Sequence, residues 1–399
     1  MSEIIYCSNK SYERFDNLLL FLQKNNVFYS QYLKQTDYRN FSLVYSALPY
    51  LDKNIIKAVG MNYFSNNHLN IFWEYTSGSN GIPFKCFKTS TERNLLSLYI
   101  WNCRRKIDRK VSPLNFLEVL GKNADRKLDF SNLSSDNIVE ILNFINYRGS
   151  RWLCLSPTMA YHYAVEAVKL GIKFKSLKFL ELQGEFIDKK RRSFIERAFN
   201  AKTVLQYGMR ETWTIAYECP HGHLRLLSDL YEIEISSIDK NGFGEAVISS
   251  NVNKYMPFIK YKTGDILRIR YDYSCECGYQ NPCVIEIREG REANCIYGHS
   301  NLIADIVFKR IIRKSLKPYN YDTTKIKAFR VLQTAKDKFT YIIVKGENYC
   351  SNIEYLIVQN TKKIIDVNAI VDFKYEDKIL LNKNGKQKLF KSECEKLDG

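Results

Sequence analysis

The chain has 399 residues, with 45% apolar and 14% aromatic side chains, which is too long for one compact core and excludes wholesale disorder. Its 60 basic and 43 acidic residues give a net charge of +17, favouring acidic partners such as nucleotides and phosphorylated cofactors. No run of about 18 uncharged apolar residues occurs, so no membrane span is expected.

The charge is spread from end to end, and no dense basic tract marks a nucleic-acid arm. A Lys-, Asn-, Ile- and Tyr-rich composition is equally consistent with a general compositional bias. The opening MSEIIYCSNKSYERFDN lacks the basic-then-apolar layout of a signal peptide, so a cytoplasmic location is the expectation. The 11 cysteines are then expected to be mostly reduced thiols.

Residues 11–35 predict an amphipathic helical stretch, with Phe15, Leu18, Leu19 and Leu22 at helical spacing. IFWEYT at 71–76 predicts a strand running into the turn-rich SGSNGIP. A helix follows over 89–106, with Thr89, Ser90 and Thr91 as candidate caps. SPT at 156–158 opens a helix to about residue 170. KFLELQG at 178–184 is a buried strand and turn, 188–199 a charged helix, and KTVLQYG at 202–208 the next strand and turn. Beyond about residue 224, LYEIEI, GEAVIS and DILRIRYDY alternate apolar and polar residues, predicting an antiparallel region. REGREANCIYG reads as a polar hinge. A small unit over 299–399 contains AFRVLQ, FTYIIVKG, a helix near 352–363, AIVDFKY and a polar tail. The expected fold class is α/β, without internal repeats.

YTSGSNGIPFK at 75–85 is a small-residue loop leaving a strand. Its backbone N–H groups and hydroxyls suit a phosphate cradle, and an ordinary surface turn is the alternative. No GK[ST] closes it, so it is not a P-loop of that type. The loop resembles the phosphate loop [ST]SG(T/S)TGxP of the adenylate-forming, acyl-activating superfamily. Thr76, Ser77, Gly78, Ser79, Gly81 and Pro83 match, and Asn80 replaces the usual Thr. QGE at 183–185, YGMRE at 207–211, MPFIKYKTGD at 256–265 and NGKQK at 384–388 follow in the superfamily's order. The resemblance thus runs over about residues 45–390. LPYLDK at 48–53, YECPHGHLRL at 217–226 and CECG at 275–278 are most similar to the phenylacetate–CoA ligase-like group. Within it they most resemble adenylyltransferases associated with capsular-polysaccharide biosynthesis.

The resemblance implies a large multi-sheet ATP- and acid-binding domain, 1–296, with a β-rich zinc-bearing part near 215–290, and a small mobile α+β lid, 297–399. It implies ATP-dependent conversion of a carboxylic acid to an acyl-adenylate with release of pyrophosphate, then transfer to an acceptor. The acceptor is an amine, a sugar hydroxyl, a carrier-protein thiol or coenzyme A, and a homodimer is left open. Carried over residue by residue, Thr76, Ser77, Gly78, Ser79 and Gly81 cradle the phosphates and Lys85 adds charge. Glu211 holds Mg2+. Tyr207, beside Gly208, packs on adenine, and Gly184 and Glu185 line the nucleotide site. Asp265 accepts the ribose hydroxyls, Arg291 contacts the ribose, and Lys386 reaches the forming acyl-adenylate. Thr76, Glu211 and Lys386 are the catalytic group. The superfamily often has Asp where Asn294 stands. With Asn80, this keeps a non-catalytic paralogue among the alternatives.

Cys219, His221, Cys275 and Cys277 are a candidate Zn2+ set, with His223 and Cys283 as substitutes, because thiolates and imidazole favour tetrahedral zinc. Similar pairs in the resembled group support the assignment and imply a structural metal. An aryl-acid–CoA ligase is the alternative enzyme. A basic zinc-containing nucleic-acid-binding protein is the alternative from another class, and it leaves the five ordered motifs unexplained.

Overall fold

The computed structural model describes residues 9–33, 45, 47–66, 70–75, 84–119, 128, 130, 132–133, 135–185, 187, 189–236, 238, 241–270, 275–277, 284–287, 295–297, 302–304, 306–377, 379 and 389–394. They fall into two compact units. The first comprises Met1–Thr76, Lys85–Ser112 and Val204–Gly290, and the second Ser77–Phe84, Pro113–Thr203 and Arg291–Gly399.

In the first unit, the helix Asn9–Asn25 buries Phe15, Leu18, Leu19 and Leu22, as their spacing predicts. The predicted stretch to 35 is broken at Asn26. Its buried amide donates to Tyr63 O (2.9 Å) and Ser65 Oγ (3.1 Å), while Oδ1 accepts the Tyr29 N–H (2.9 Å) and so opens a second helix, Val27–Leu33. The strands Ile71–Tyr75 and Lys85–Thr89 form an antiparallel hairpin in which Tyr75 faces Lys85. The second of these strands is absent from the sequence-based reading, because its five residues lie between a turn signal and a strong helix start.

That helix, Ser90–Ile107, begins with a capping box. Thr89 Oγ1 accepts the Glu92 N–H (3.2 Å), and Glu92 Oε2 accepts the Thr89 N–H (2.7 Å). Glu92 Oε1 also accepts the N–H groups of Lys254 (2.6 Å) and Tyr255 (2.9 Å). One buried carboxylate therefore starts a helix and anchors a segment more than 160 residues away in the chain.

The main sheet of this unit is antiparallel, in agreement with the alternation beyond residue 224. Its order is Tyr231–Ser236, Gly244–Ser250, Tyr261–Arg270, Val284–Ile287, Leu224–Leu226, Trp213–Glu218, and then the part of Lys202–Met209 that belongs to the unit.

The second unit contains parallel strands Phe116–Glu118, Trp152–Leu155 and Phe179–Gln183. Trp152 is fully buried and stacks on Phe179 with ring centroids 4.7 Å apart. The near-continuous apolar runs WLCL and FLELQ are what a strand covered on both faces requires. The SPT signal is realised as the Ser156 cap of the helix Pro157–Lys169. A four-stranded sheet, ordered Ile370–Tyr375, Lys338–Lys345, Ile326–Ala335 and Phe390–Ser392, packs with the helices Ile306–Ser315 and Ser351–Ile364 around Phe308, Phe329, Tyr341 and Ile357. Two expectations are revised here. Residues 295–297 of the expected hinge form a strand that pairs with Leu302–Ala304, and part of the expected polar tail is the strand Phe390–Ser392. Both are three-residue strands, too short to leave a periodic signal.

Glu92→Gln replaces a charged acceptor of three backbone N–H groups with an amide that presents one acceptor oxygen. A stability loss of about 2 kcal/mol or more is expected, read as a lowered melting temperature against wild type.

Candidate active site

The YGMRE motif lies on a hairpin of the first unit. The strand Lys202–Met209 turns at Arg210–Thr212 into Trp213–Glu218, with a register shift after Tyr207. A β-carbon at Gly208 would fall 2.2 Å from the Trp213 carbonyl oxygen, so the two backbones approach as only glycine allows. Trp213 itself takes φ +65°, in the left-handed region, and its indole N–H donates to Glu74 Oε2 (2.7 Å). Lys88 donates to Arg210 O (2.5 Å), with its ammonium 3.6 Å from Glu74. These contacts tie the turn to the hairpin flanking the candidate phosphate loop. Burial lowers the Lys88 pKa, although the surrounding acidic groups oppose that shift. Lys85 stands where that hairpin closes, its ammonium 4.6 Å from the Trp73 ring centroid.

The turn buries Glu211. Tyr261 donates its hydroxyl to Glu211 Oε1 (3.1 Å), and Lys53 places Nζ 3.0 Å from the same oxygen. Burial, followed by the charge of Glu211, pushes the Tyr261 phenol well above its ordinary pKa, so it remains a donor.

The TGD motif interrupts the strand Tyr261–Arg270 opposite Ala246, where the ladder shifts between Glu245 and Val247. Thr263 Oγ1 donates to Ala246 O (2.9 Å) and accepts the Asp265 N–H (3.0 Å), while Gly264 takes φ +74°. The resulting bulge carries Asp265, whose Oδ2 accepts the Tyr207 hydroxyl (3.1 Å). Burial is the main cause raising the Tyr207 pKa, and Asp265 adds to it. YGMRE and YKTGD, more than 50 residues apart, therefore meet through Tyr207–Asp265 and Tyr261–Glu211.

Gly184 and Glu185 belong to the second unit, where they follow the strand Phe179–Gln183, and Gly184 takes φ +85°. Thr76, Ser77, Gly78, Ser79, Asn80, Gly81, Pro83, Cys283, Arg291, Asn294 and Lys386 lie outside the described residues.

A cysteine–histidine cluster forms elsewhere in the first unit. The strands Trp213–Glu218 and Leu224–Leu226 are joined by a tight turn, in which the Cys219 N–H donates to His223 O and the Gly222 N–H to Cys219 O, both at 2.9 Å. Cys219 Sγ lies 3.8 Å from His223 Nδ1 and 4.0 Å from Cys275 Sγ. The three ligand atoms lie within 4.8 Å of one another. Cys277 interacts with both thiols. The histidine gathered with these thiols is His223, the substitute offered from sequence, and not His221, which was placed first. Position 223 pairs back to 219 across the turn, whereas His221 sits exposed at its tip. Burial opposes ionisation of Cys275, but the Arg225 guanidinium, the Cys277 backbone and His223 outweigh it and bring the thiol down to about 6. The donor set suits zinc.

No protein-family model matches the chain, and a search of curated proteins finds no match. Solved structures do match. A 2-hydroxyisobutyryl-CoA ligase bound to 2-HIB-AMP and CoA in its thioesterification state superposes with a TM-score of 0.61 at 14% identity, covering 96% of this chain and 88% of that one. The same ligase in its postadenylation state, with R3-HIB-AMP, gives 0.57 at 13% identity and the same coverage. The chain has the adenylate-forming fold. The α/β expectation is met, and the match extends over nearly the whole chain.

Lys53, Glu74, Lys88, Trp213 and Tyr261 contact the candidate site residues or the hairpin that carries them, and were absent from the sequence-based assignment. Lys53 and Tyr261 fall inside quoted motifs, LPYLDK and MPFIKYKTGD, whose non-glycine letters were available as a signal. Lys88 and Glu74 carry none, because a lysine and a glutamate in short strands read as solvent-facing.

Gly208→Ala would force the Trp213 carbonyl aside and displace the hairpin bearing Tyr207 and Glu211. A loss of about 3 kcal/mol is expected, measured as a fall in melting temperature, whereas Gly184→Ala, with nothing within 4 Å of its added carbon, is opposed by φ alone.

Proposed function

We propose that the protein activates a carboxylic acid with ATP, forming an acyl-adenylate and pyrophosphate, and then passes the acyl group to an acceptor. The observation that carries this reading is the convergence of Asp265 with Tyr207 and of Glu211 with Tyr261. Two motifs distant in sequence thereby present two oriented carboxylates in one unit. Asp265, on its bulge with one oxygen held by Tyr207, is placed to accept ribose hydroxyls. Glu211 fits Mg2+. It offers hard oxygen ligands on a rigid turn, its Oε1 takes both described contacts, and no partner of Oε2 is found among the described residues. A Mg2+ held there would supply positive charge to neutralise phosphate oxygens. Thr76, Ser77, Ser79 and Gly81 would donate to phosphate oxygens. Lys386 would stabilise charge on the carboxylate and α-phosphate oxygens as the new bond forms. The division into a large domain, 1–296, and a lid, 297–399, belongs to the same proposal.

A thiol acceptor, coenzyme A, is favoured by the likeness to a ligase whose structure holds CoA beside an acyl-adenylate. LPYLDK, YECPHGHLRL and CECG support a role in surface-polysaccharide synthesis, where an amine or hydroxyl would accept the acyl group. The test is a screen of carboxylic acids for exchange of labelled pyrophosphate into ATP. Acid- and Mg2+-dependent exchange is expected, with a loss of about 100- to 1000-fold in Asp265→Ala and in Glu211→Gln. Full exchange in folded Asp265→Ala would overturn the assignment.

We further propose one structural zinc ion on Cys219, His223, Cys275 and Cys277, with the buried Arg225 offsetting the excess thiolate charge. Elemental analysis should find about one zinc per chain, by the stoichiometry of such sites. His223→Ala and Cys275→Ser should lose the metal and melt earlier, and His221→Ala should keep it. A metal-free wild type with unchanged melting in Cys275→Ser rejects the site.

A further inference from the structure

The LPYLDK segment is fastened so as to aim one lysine at Glu211. Leu51 bridges to the strand bearing Tyr261: its N–H donates to Lys260 O (2.9 Å), and its carbonyl accepts the Lys262 N–H (2.8 Å). Asp52 then caps the helix Lys53–Val59, accepting the N–H groups of Asn54 (2.8 Å) and Ile55 (2.9 Å). Lys53, the first residue of that helix, places its ammonium 3.0 Å from Glu211 Oε1. The Glu211 side chain is 3% exposed and that of Lys53 25% exposed. The carboxylate is held within the fold, while the cation stands on a flexible stem at the solvent boundary.

Resting on the reading of Glu211 as the Mg2+ ligand, we propose that Lys53 is a built-in counter-ion that holds the cation position on Glu211 until a divalent ion displaces it. A buried carboxylate without a cation is costly, so the empty protein needs a positive charge there. An ammonium can supply that charge and withdraw again, because its long stem reaches water without backbone movement. A bare divalent ion must break this pair and strand the ammonium beside its own charge. A divalent ion arriving with a triphosphate brings the anionic oxygens that the displaced ammonium needs. Lys53 thus weakens metal binding in the absence of nucleotide and couples the two ligands when both are present.

The test measures free Mn2+ by electron paramagnetic resonance during titration of wild type, Lys53→Met, Lys53→Gln, Lys53→Arg and Glu211→Gln, with and without α,β-methylene-ATP. Folding of each variant is checked by its melting temperature. Lys53→Met and Lys53→Gln should bind Mn2+ alone about 10-fold more tightly, the scale of losing one partly buried competing cation, and should show a smaller gain on adding the nucleotide analogue. Lys53→Arg, which keeps the charge, should stay near wild type. A purely structural ion pair would instead leave Mn2+ affinity unchanged or weaker in the folded neutral variants. That result, with Glu211→Gln still abolishing binding, overturns the role of Lys53 alone. Mn2+ affinity indifferent to Glu211→Gln, or absent from every protein, overturns the metal reading of Glu211 and this proposal with it.

Discussion

The carboxylate of Glu92 is the fixed point of the first unit. It accepts backbone N–H groups from Thr89, Lys254 and Tyr255, and so locks the start of a helix and the approach to the MPFIKYKTGD strand onto one buried charge. The segment anchored at 254–255 leads directly into the strand that carries Tyr261, Thr263 and Asp265. The position of the candidate nucleotide carboxylates therefore depends on a residue that bears no part of the proposed chemistry. A charged acceptor shared among several donors is among the stronger non-covalent ties a protein can make, because each donor is satisfied and the charge is spread over all of them.

Two acidic groups beside the YGMRE turn are also paired. Glu74 receives the Trp213 indole and lies beside Lys88, and Glu211 receives Tyr261 and Lys53. The net charge of +17 reads differently in this light. Two of its lysines sit in internal ion pairs: Lys53 beside the buried carboxylate of Glu211, and the buried Lys88 beside Glu74. The cysteine–histidine cluster follows the same logic with the signs reversed, since Arg225 is buried beside thiols whose ionised form it favours.

Much of this was legible in the sequence, for identifiable reasons. Helical spacing of Phe15, Leu18, Leu19 and Leu22, the SPT cap and the apolar runs of the parallel strands are local signals, and local structure obeyed them. YGMRE and YKTGD pointed to Tyr207, Glu211 and Asp265 through the resemblance, and the structure gives the glycine of each motif a geometric reason. Lys53 and Lys88 were not legible as site residues. Their roles arise from pairing across long stretches of chain, and a lysine carries no sequence mark that distinguishes an internal counter-ion from a solvated one. His223 was ranked behind His221 because turn register, set by the Cys219–His223 backbone bond, is invisible in a string that contains both.

The Thr263–Asp265 bulge divides one three-letter motif into two kinds of obligation. Thr263 and Gly264 serve the backbone, one closing a hydrogen bond to Ala246 and the other accepting a conformation closed to most residues. Asp265 alone carries a proposed role in binding. Under drift, the first two letters are guarded by folding and the third only by use. If Asp265 serves the proposed nucleotide site, a lineage that abandoned that use would keep the threonine and glycine long after the aspartate had gone. On that reading the last letter of the motif, rather than its presence as a whole, would be the record of use.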